Sequence, residues 1–141
     1  MPVYFHTEEI KFNFRHKRLH KQWIGQWIVL NQKSPGNLNF LFTSNERIKL
    51  INQKYLNHNY FTDVISFDYT EGNLIAGDIV ISVEEVKKNA EFYGAEWLDE
   101  LRRVMIHGVL HLMGYGDKTQ EERIIMRKKE NEALHLWLKL V

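Results

Sequence analysis

The chain reads as one α+β domain, a small mixed sheet packed by helices, spanning residues 1–141. Three observations predict it. Its 141 residues suit a single hydrophobic core. Short apolar or alternating stretches are interleaved with helical periodicity through the first half, and helical periodicity dominates the second. No repeat, low-complexity tract or linker divides the sequence.

The elements follow in order. Val3–Phe5 and Ile10–Phe14 have the alternating or continuous apolar pattern of short strands. From about Arg15 to Gln32 the period becomes helical, with Leu19, Trp23, Trp27 and Leu30 on one face beside Ile24 and Ile28. Ser34-Pro35-Gly36-Asn37 reads as a turn that stops this helix. Leu38–Phe42 is a strand, and Thr43-Ser44-Asn45-Glu46 is a capping box opening a helix that runs to about Asn57. After the polar loop Asn57-His58-Asn59-Tyr60, Thr62–Tyr69 and Leu74–Ile81 form a hairpin around Glu71-Gly72-Asn73. Ser82-Val83-Glu84-Glu85 is a second capping box, and its helix breaks at Gly94-Ala95. A helix from Glu96 or Trp97 carries Leu98, Leu101, Met105, Val109 and Leu112 as its buried stripe. Thr119-Gln120-Glu121-Glu122, a third capping box, opens the last helix, with Ile125, Met126, Leu134, Trp137 and Leu138 on its apolar side. All four Trp fall on helical faces and are read as core.

Composition narrows the chemistry. Hydrophobic residues are 44% and charged residues 26%, as in globular proteins. There is no cysteine, which excludes disulfides and thiolate zinc sites and leaves any metal to His and carboxylate ligands. No apolar run approaches the ~20 residues that span a bilayer. Acids interrupt the N-terminal segment where a signal peptide needs an apolar core, so a cytoplasmic protein without membrane attachment is expected. The net charge of +1 hides an asymmetry: residues 1–60 are basic and residues 61–141 acidic. The basic cluster Arg15–Lys21 can track a phosphate backbone, although a solvated helix face is the commoner meaning of such a run.

The chemistry concentrates in His107-Gly108-Val109-Leu110-His111-Leu112-Met113-Gly114-Tyr115-Gly116-Asp117. Histidines four apart on a helix share a face, with Cβ atoms roughly 5–6 Å apart, and can grip one ion. Gly114 suits the left-handed residue that ends a helix, so the chain can reverse and return Asp117 toward the imidazoles. Three protein ligands with an open position are the pattern of a catalytic rather than a structural zinc site. The spacing is that of the zinc-protease helix H-E-x-x-H-x-x-G-x-x-H, but the general-base Glu is replaced by Gly108. The scaffold for a metal is present and the protease's base is absent. A glycine inside a helix costs roughly 1 kcal/mol relative to Ala, so position 108 needs room either for substrate or for a neighbouring strand.

Three segments in this order, Thr62-Asp63-Val64-Ile65-Ser66-Phe67, Gly77-Asp78-Ile79-Val80-Ile81-Ser82 and His107–Tyr115, resemble the YbeY endoribonucleases, metal-dependent factors of bacterial ribosomal RNA maturation. The resemblance implies a zincin-like α+β fold and one metal ion, Zn2+ or another divalent ion, held by His107, His111 and the residue at position 117. The family pattern H-G-x-L-H-L-x-G-Y-D-H has histidine where this chain has Asp117, and acid where it has Gly116. A carboxylate ligand binds zinc at ~2.0–2.2 Å, removes one positive charge from the site and favours harder metals. The family's arginine six residues before Thr62 is Leu56 here. Arg102, Arg103 and Lys118 are the cations near enough in sequence to replace it.

The resemblance further implies a single-strand-specific endoribonuclease acting in 3′-end maturation of small-subunit ribosomal RNA and in ribosome quality control. Its partners would be ribosomal RNA and the small subunit or its proteins. The alternative is an assembly factor with little or no catalysis and a structural metal. No catalytic residue is assigned. With Gly108 in the motif, the base is water on the ion, a residue elsewhere or the RNA 2′-hydroxyl. Asp63 and Asp78 are candidates to orient a ligating imidazole, although an Asp at a strand end more often caps a turn. Thr62 and Ser66 are candidates for substrate contact, with sheet-edge hydrogen bonding the commoner role. His58 reads as an exposed bystander, and His6, His16, His20 and His135 show no partner spacing.

Overall fold

A computed structural model describes residues 2–56 and 62–141. Nine elements occupy the described residues: β1 (Val3–Thr7), α1 (Lys17–Leu30), β2 (Ser34–Thr43), α2 (Asn45–Leu56), β3 (Val64–Asp68), β4 (Leu74–Ser82), α3 (Val83–Tyr93), α4 (Trp97–Leu112) and α5 (Gln120–Leu140). The strands form one sheet ordered β1-β2-β4-β3. β1, β2 and β4 run parallel, and β3 runs antiparallel to β4 on the edge. The expected α+β class with a small mixed sheet is what the chain adopts.

Period-two alternation decides which face of the sheet each side chain meets. Phe40 and Phe42 of β2 and Ile75, Ile79 and Ile81 of β4 point into the main core with α1, α3, α4 and α5. Leu41, Val80, Ile65 and Phe67 point the other way and pack on Ile48 and Ile51 of α2. Trp23, Trp27 and Trp137 are buried and Trp97 is partly so, as their helical spacing implies.

Several local expectations are corrected. Residues 11–16 form no strand, and their Phe12 and Phe14 instead fold back onto Phe42. Ser34-Pro35-Gly36-Asn37 is not a turn but the start of β2, with a register shift between Pro35 and Leu38 that absorbs the proline. The helix stops earlier, where Gln32 turns to a positive φ of 62°. α2 is capped by Ser44, whose Oγ accepts from the Arg47 amide at 3.2 Å, so Thr43 and Glu46 do not form a capping box. Ser82 accepts from the Glu85 amide and starts α3 as expected, and Thr119 with Glu122 makes the reciprocal box at α5. Leu98, Ile125 and Leu138 are exposed; Glu130 and Ala133 join Met126 and Trp137 on the buried stripe of α5. The loop expected at Asn57–Tyr60, including His58, lies outside the described residues.

Candidate metal centre

α4 places both histidines and its end delivers the acid. Leu101, Met105, Val109 and Leu112 anchor the helix in the core, which turns His107 and His111 toward edge strand β3. After Met113 the Gly114 amide bonds to His111 O and the Tyr115 amide to Leu110 O, each at 3.0 Å. These two bonds are a Schellman motif, which requires the left-handed residue that Gly114 supplies at φ 101°. The reversal returns Asp117 over the imidazoles.

Three donor atoms converge. The Nε2 atoms of His107 and His111 are 3.0 Å apart, and Asp117 Oδ2 is 3.2 Å from each. Ligands ~2.0–2.1 Å from a tetrahedral ion are separated by about 3.3 Å, so this triangle has the size of one face of such a site. The hydrogen bonds on the far side of each ring decide the tautomers. His107 Nδ1–H donates to Glu130 Oε2 at 2.7 Å, and His111 Nδ1–H donates to the Tyr115 carbonyl at 2.9 Å. With both Nδ1 atoms protonated, both neutral rings direct an Nε2 lone pair at the same point as the carboxylate. Three converging lone pairs repel unless a proton or a metal ion lies among them, and the size of the triangle fits the ion. His107, His111 and Asp117 can therefore hold one.

The surrounding charges agree. Burial alone would lower the His107 pKa, but the hydrogen bond and charge of Glu130, with Asp117 and Asp63, outweigh it and hold the ring above the ordinary histidine value. Glu130 is itself buried and also accepts from Arg103 Nη1 at 3.2 Å. Glu130 was missed by sequence reasoning. Its signal was a carboxylate on the stripe of Met126, Ala133 and Trp137, where an unpaired charge would be prohibitive. It takes the orienting role considered for Asp63 and Asp78. Asp78 lies on the opposite face of the sheet, beside His6 and Phe67. Asp63 does reach the site wall, and burial raises its pKa.

Two clefts meet at the triangle, sharing Asp63, Val64, His107 and Asp117. One, of about 390 Å³, extends between α4 and α5 along Arg103, Arg123 and Arg127. The other, of about 580 Å³, extends past Ser66, Thr62, Leu56 and Lys118. Of the cations considered from sequence, Arg103 and Lys118 line these clefts and Arg102 does not; it bonds Asp99 at 2.7 Å and lies over the Trp137 ring. The basic cluster Arg15–Lys21 lines neither cleft, so the cations beside the site come from the half of the chain with net negative charge. Gly108 serves packing. A Cβ there would lie 2.7 Å from Ile79 Cγ2, so the residue lets α4 settle on β4 and its missing side chain faces the sheet.

Residues 3–137 match the model of the family described as endoribonuclease YbeY. A Flavobacterium psychrophilum protein named endoribonuclease YbeY is 46% identical over 92% of this chain and 92% of its own length. A Bacteroides thetaiotaomicron protein of the same name is 43% identical over 95% of this chain and 98% of its own length. The solution structure of TM1509 from Thermotoga maritima superposes with a TM-score of 0.66 at 26% identity, covering 96% of this chain and 88% of that one.

Proposed function

Because the chain belongs to the YbeY endoribonuclease family, we propose that it is a metal-dependent endoribonuclease with His107, His111 and Asp117 as the ligands of one divalent ion. The observation that carries this reading is the triangle of two imidazole nitrogens and a carboxylate oxygen, with edges of 3.0–3.2 Å, at the junction of two clefts. Zinc suits the two nitrogens and the size of the triangle, while the carboxylate also admits a harder ion. Residues 1–141 act as one domain in this reading, because the sheet, α4 and α5 all contribute walls to the site.

When bound, the ion supplies Lewis-acid polarisation of a phosphate oxygen and acidifies water at neutral pH. The chain's own residues provide the rest. Glu130 and the Tyr115 carbonyl hold the rings so that both Nε2 atoms face inward. Asp117 closes the third side from a loop braced by Arg123, which donates to the Lys118 carbonyl at 2.7 Å. Gly108 directs no group at the site, so the α4 motif contributes ligands and no base. Single-stranded RNA is the form of substrate that the family resemblance supports. Small-subunit ribosomal RNA near its 3′ end is the substrate the family resemblance supports, and it implies a cytoplasmic enzyme working with the small subunit. No helix among the described residues is long and apolar enough to cross a membrane.

The test is elemental analysis of the purified protein, followed by cleavage of small-subunit ribosomal RNA by the metal-loaded enzyme. One bound ion per chain and cleavage abolished in His107→Ala are expected. Cleavage by His107→Ala at the wild-type rate would remove the reading. A bound ion with no cleavage, and growth supported by a folded His107→Ala variant, would instead favour the assembly factor with a structural metal.

A further inference from the structure

The cleft between α4 and α5 carries three guanidinium groups, and they are not equivalent. Arg103 is committed to Glu100 at 3.5 Å, Glu130 at 3.2 Å and Asn131 at 3.1 Å. Arg123 is committed to the carbonyl of Lys118 and so to the shape of the loop bearing Asp117. Arg127, one turn further along α5, approaches Glu130 Oε1 only at 3.9 Å, and 62% of its side chain is exposed. A guanidinium on a cleft wall, held loosely at its root and open at its tip, is placed to take an external anion in two parallel hydrogen bonds.

The two clefts differ in chemistry on either side of the triangle. The α4–α5 arm carries three arginines among the carboxylates Asp63, Glu100, Asp117 and Glu130, two of which are held by Arg103, whereas the arm along β3 offers the hydroxyls of Thr62 and Ser66 with Lys118 at its margin. A polymer lying across His107 and Asp117 would therefore meet guanidinium groups on one side and small hydroxyls on the other.

We propose that the α4–α5 cleft is a phosphate subsite in which Arg127 binds the backbone phosphate next to the one over the His107–His111–Asp117 triangle. The inference rests on the endoribonuclease reading and adds to it the residue that grips the neighbouring phosphate. Arg103 shapes the same wall but is held by Glu100 and Glu130, so Arg127 makes the exchangeable contact. Because that phosphate does not react, its contact acts on substrate binding rather than on the chemical step. Single-strand binding loses roughly 0.7 in the slope of log K against log salt for each phosphate contact removed.

The experiment compares wild type, Arg127→Ala, Arg127→Lys and Lys128→Ala, all as the full chain. Lys128 is the neighbouring cation on α5; it lines an outer groove that Arg127 also borders, and not this cleft. Binding of a fluorescein-labelled single-stranded RNA decamer is followed by anisotropy in chelator between 50 and 200 mM salt, and steady-state cleavage is measured with metal. Arg127→Ala is expected to weaken binding about five- to tenfold, raise KM by the same factor with kcat retained, and flatten the salt slope by about 0.7. Arg127→Lys should recover part of the affinity and the whole slope, and Lys128→Ala should match wild type. Unchanged affinity and slope in a folded Arg127→Ala protein, beside a wild type that binds and cleaves, would overturn the subsite alone. Equal losses in Lys128→Ala would overturn it in favour of a diffuse basic surface. A wild type that neither binds nor cleaves RNA would overturn the endoribonuclease reading and this inference with it.

Discussion

Glu130 shows how much one carboxylate decides in this protein. It sits on the buried stripe of α5 and receives the Nδ1–H of His107 and the Nη1–H of Arg103. Replacing it with Gln keeps the shape but exchanges a charged acceptor for a neutral amide that can also present its NH2 to the ring. The partners of ligating histidines typically contribute 10–100-fold in metal affinity. Glu130→Gln is therefore expected to weaken metal binding by about that range in chelator competition, with the tryptophan-rich core still folded by near-ultraviolet dichroism. Gly108 gives a second prediction at this scale. Gly108→Ala gains helix propensity of about 1 kcal/mol but drives a methyl to 2.7 Å from Ile79. Overpacking of this kind costs about 1–3 kcal/mol, so the net effect in urea unfolding should be destabilising. Ile79→Ala removes the obstructing branch. In the double-mutant cycle the pair should therefore lose clearly less than the sum of the single losses; additive losses would mean that helix and strand separate easily here.

At the scale of elements, α1 and α5 meet through a histidine. His20 is buried, its ring stacks on Trp137 at 4.4 Å between centroids, and its Nδ1 donates to the His16 carbonyl at 2.8 Å. Burial, with Arg102 and His16 adding positive charge, lowers its pKa from 6.5 to about 4. Between those two values the unfolded chain binds a proton that the folded chain refuses. The contribution of neutral His20 is intact above pH 6.5 and is lost as pH falls toward 4, by up to about 3 kcal/mol. His20→Phe should keep the stack and flatten that acid slope, read as the difference in unfolding free energy between pH 7 and pH 4.5. Nothing in the sequence announced this contact, because His20 and Trp137 lie 117 positions apart and meet only in the folded chain. Local signals served well where the cause was local: the Thr119–Glu122 box, the helix break at Gly94 and the turn at Gly72 are as their residues imply. They misled where tertiary pairing overrode them, as at Pro35 and Gly36, which β4 recruits into β2. The histidine pair and Asp117 were legible from spacing alone, whereas Glu130 and the arginine wall of α5 depend on how α4 and α5 dock.

For the whole molecule, the candidate site joins elements that already share one core. The three side chains that could hold an ion come from α4 and from the loop into α5, and the walls come from β3, α4 and α5. An ion that binds the folded chain and not the unfolded one adds RT ln(1 + [L]/Kd) to stability, about 2.7 kcal/mol at a hundredfold excess over Kd. Metal addition should therefore raise the melting temperature and chelator should lower it reversibly. Asp117→Ala separates this effect from ordinary packing. Its carboxylate is 40% exposed and accepts no bond that the core needs, so the chelator-treated variant should melt near chelator-treated wild type. On metal addition it should gain less, because one edge of the triangle is gone. The three-ligand site predicts this interaction between mutation and metal. Equal metal-induced shifts in wild type and Asp117→Ala would mean that the ion is held by the imidazoles without the carboxylate, and that the loop after Gly114 brings Asp117 to the site for some other purpose.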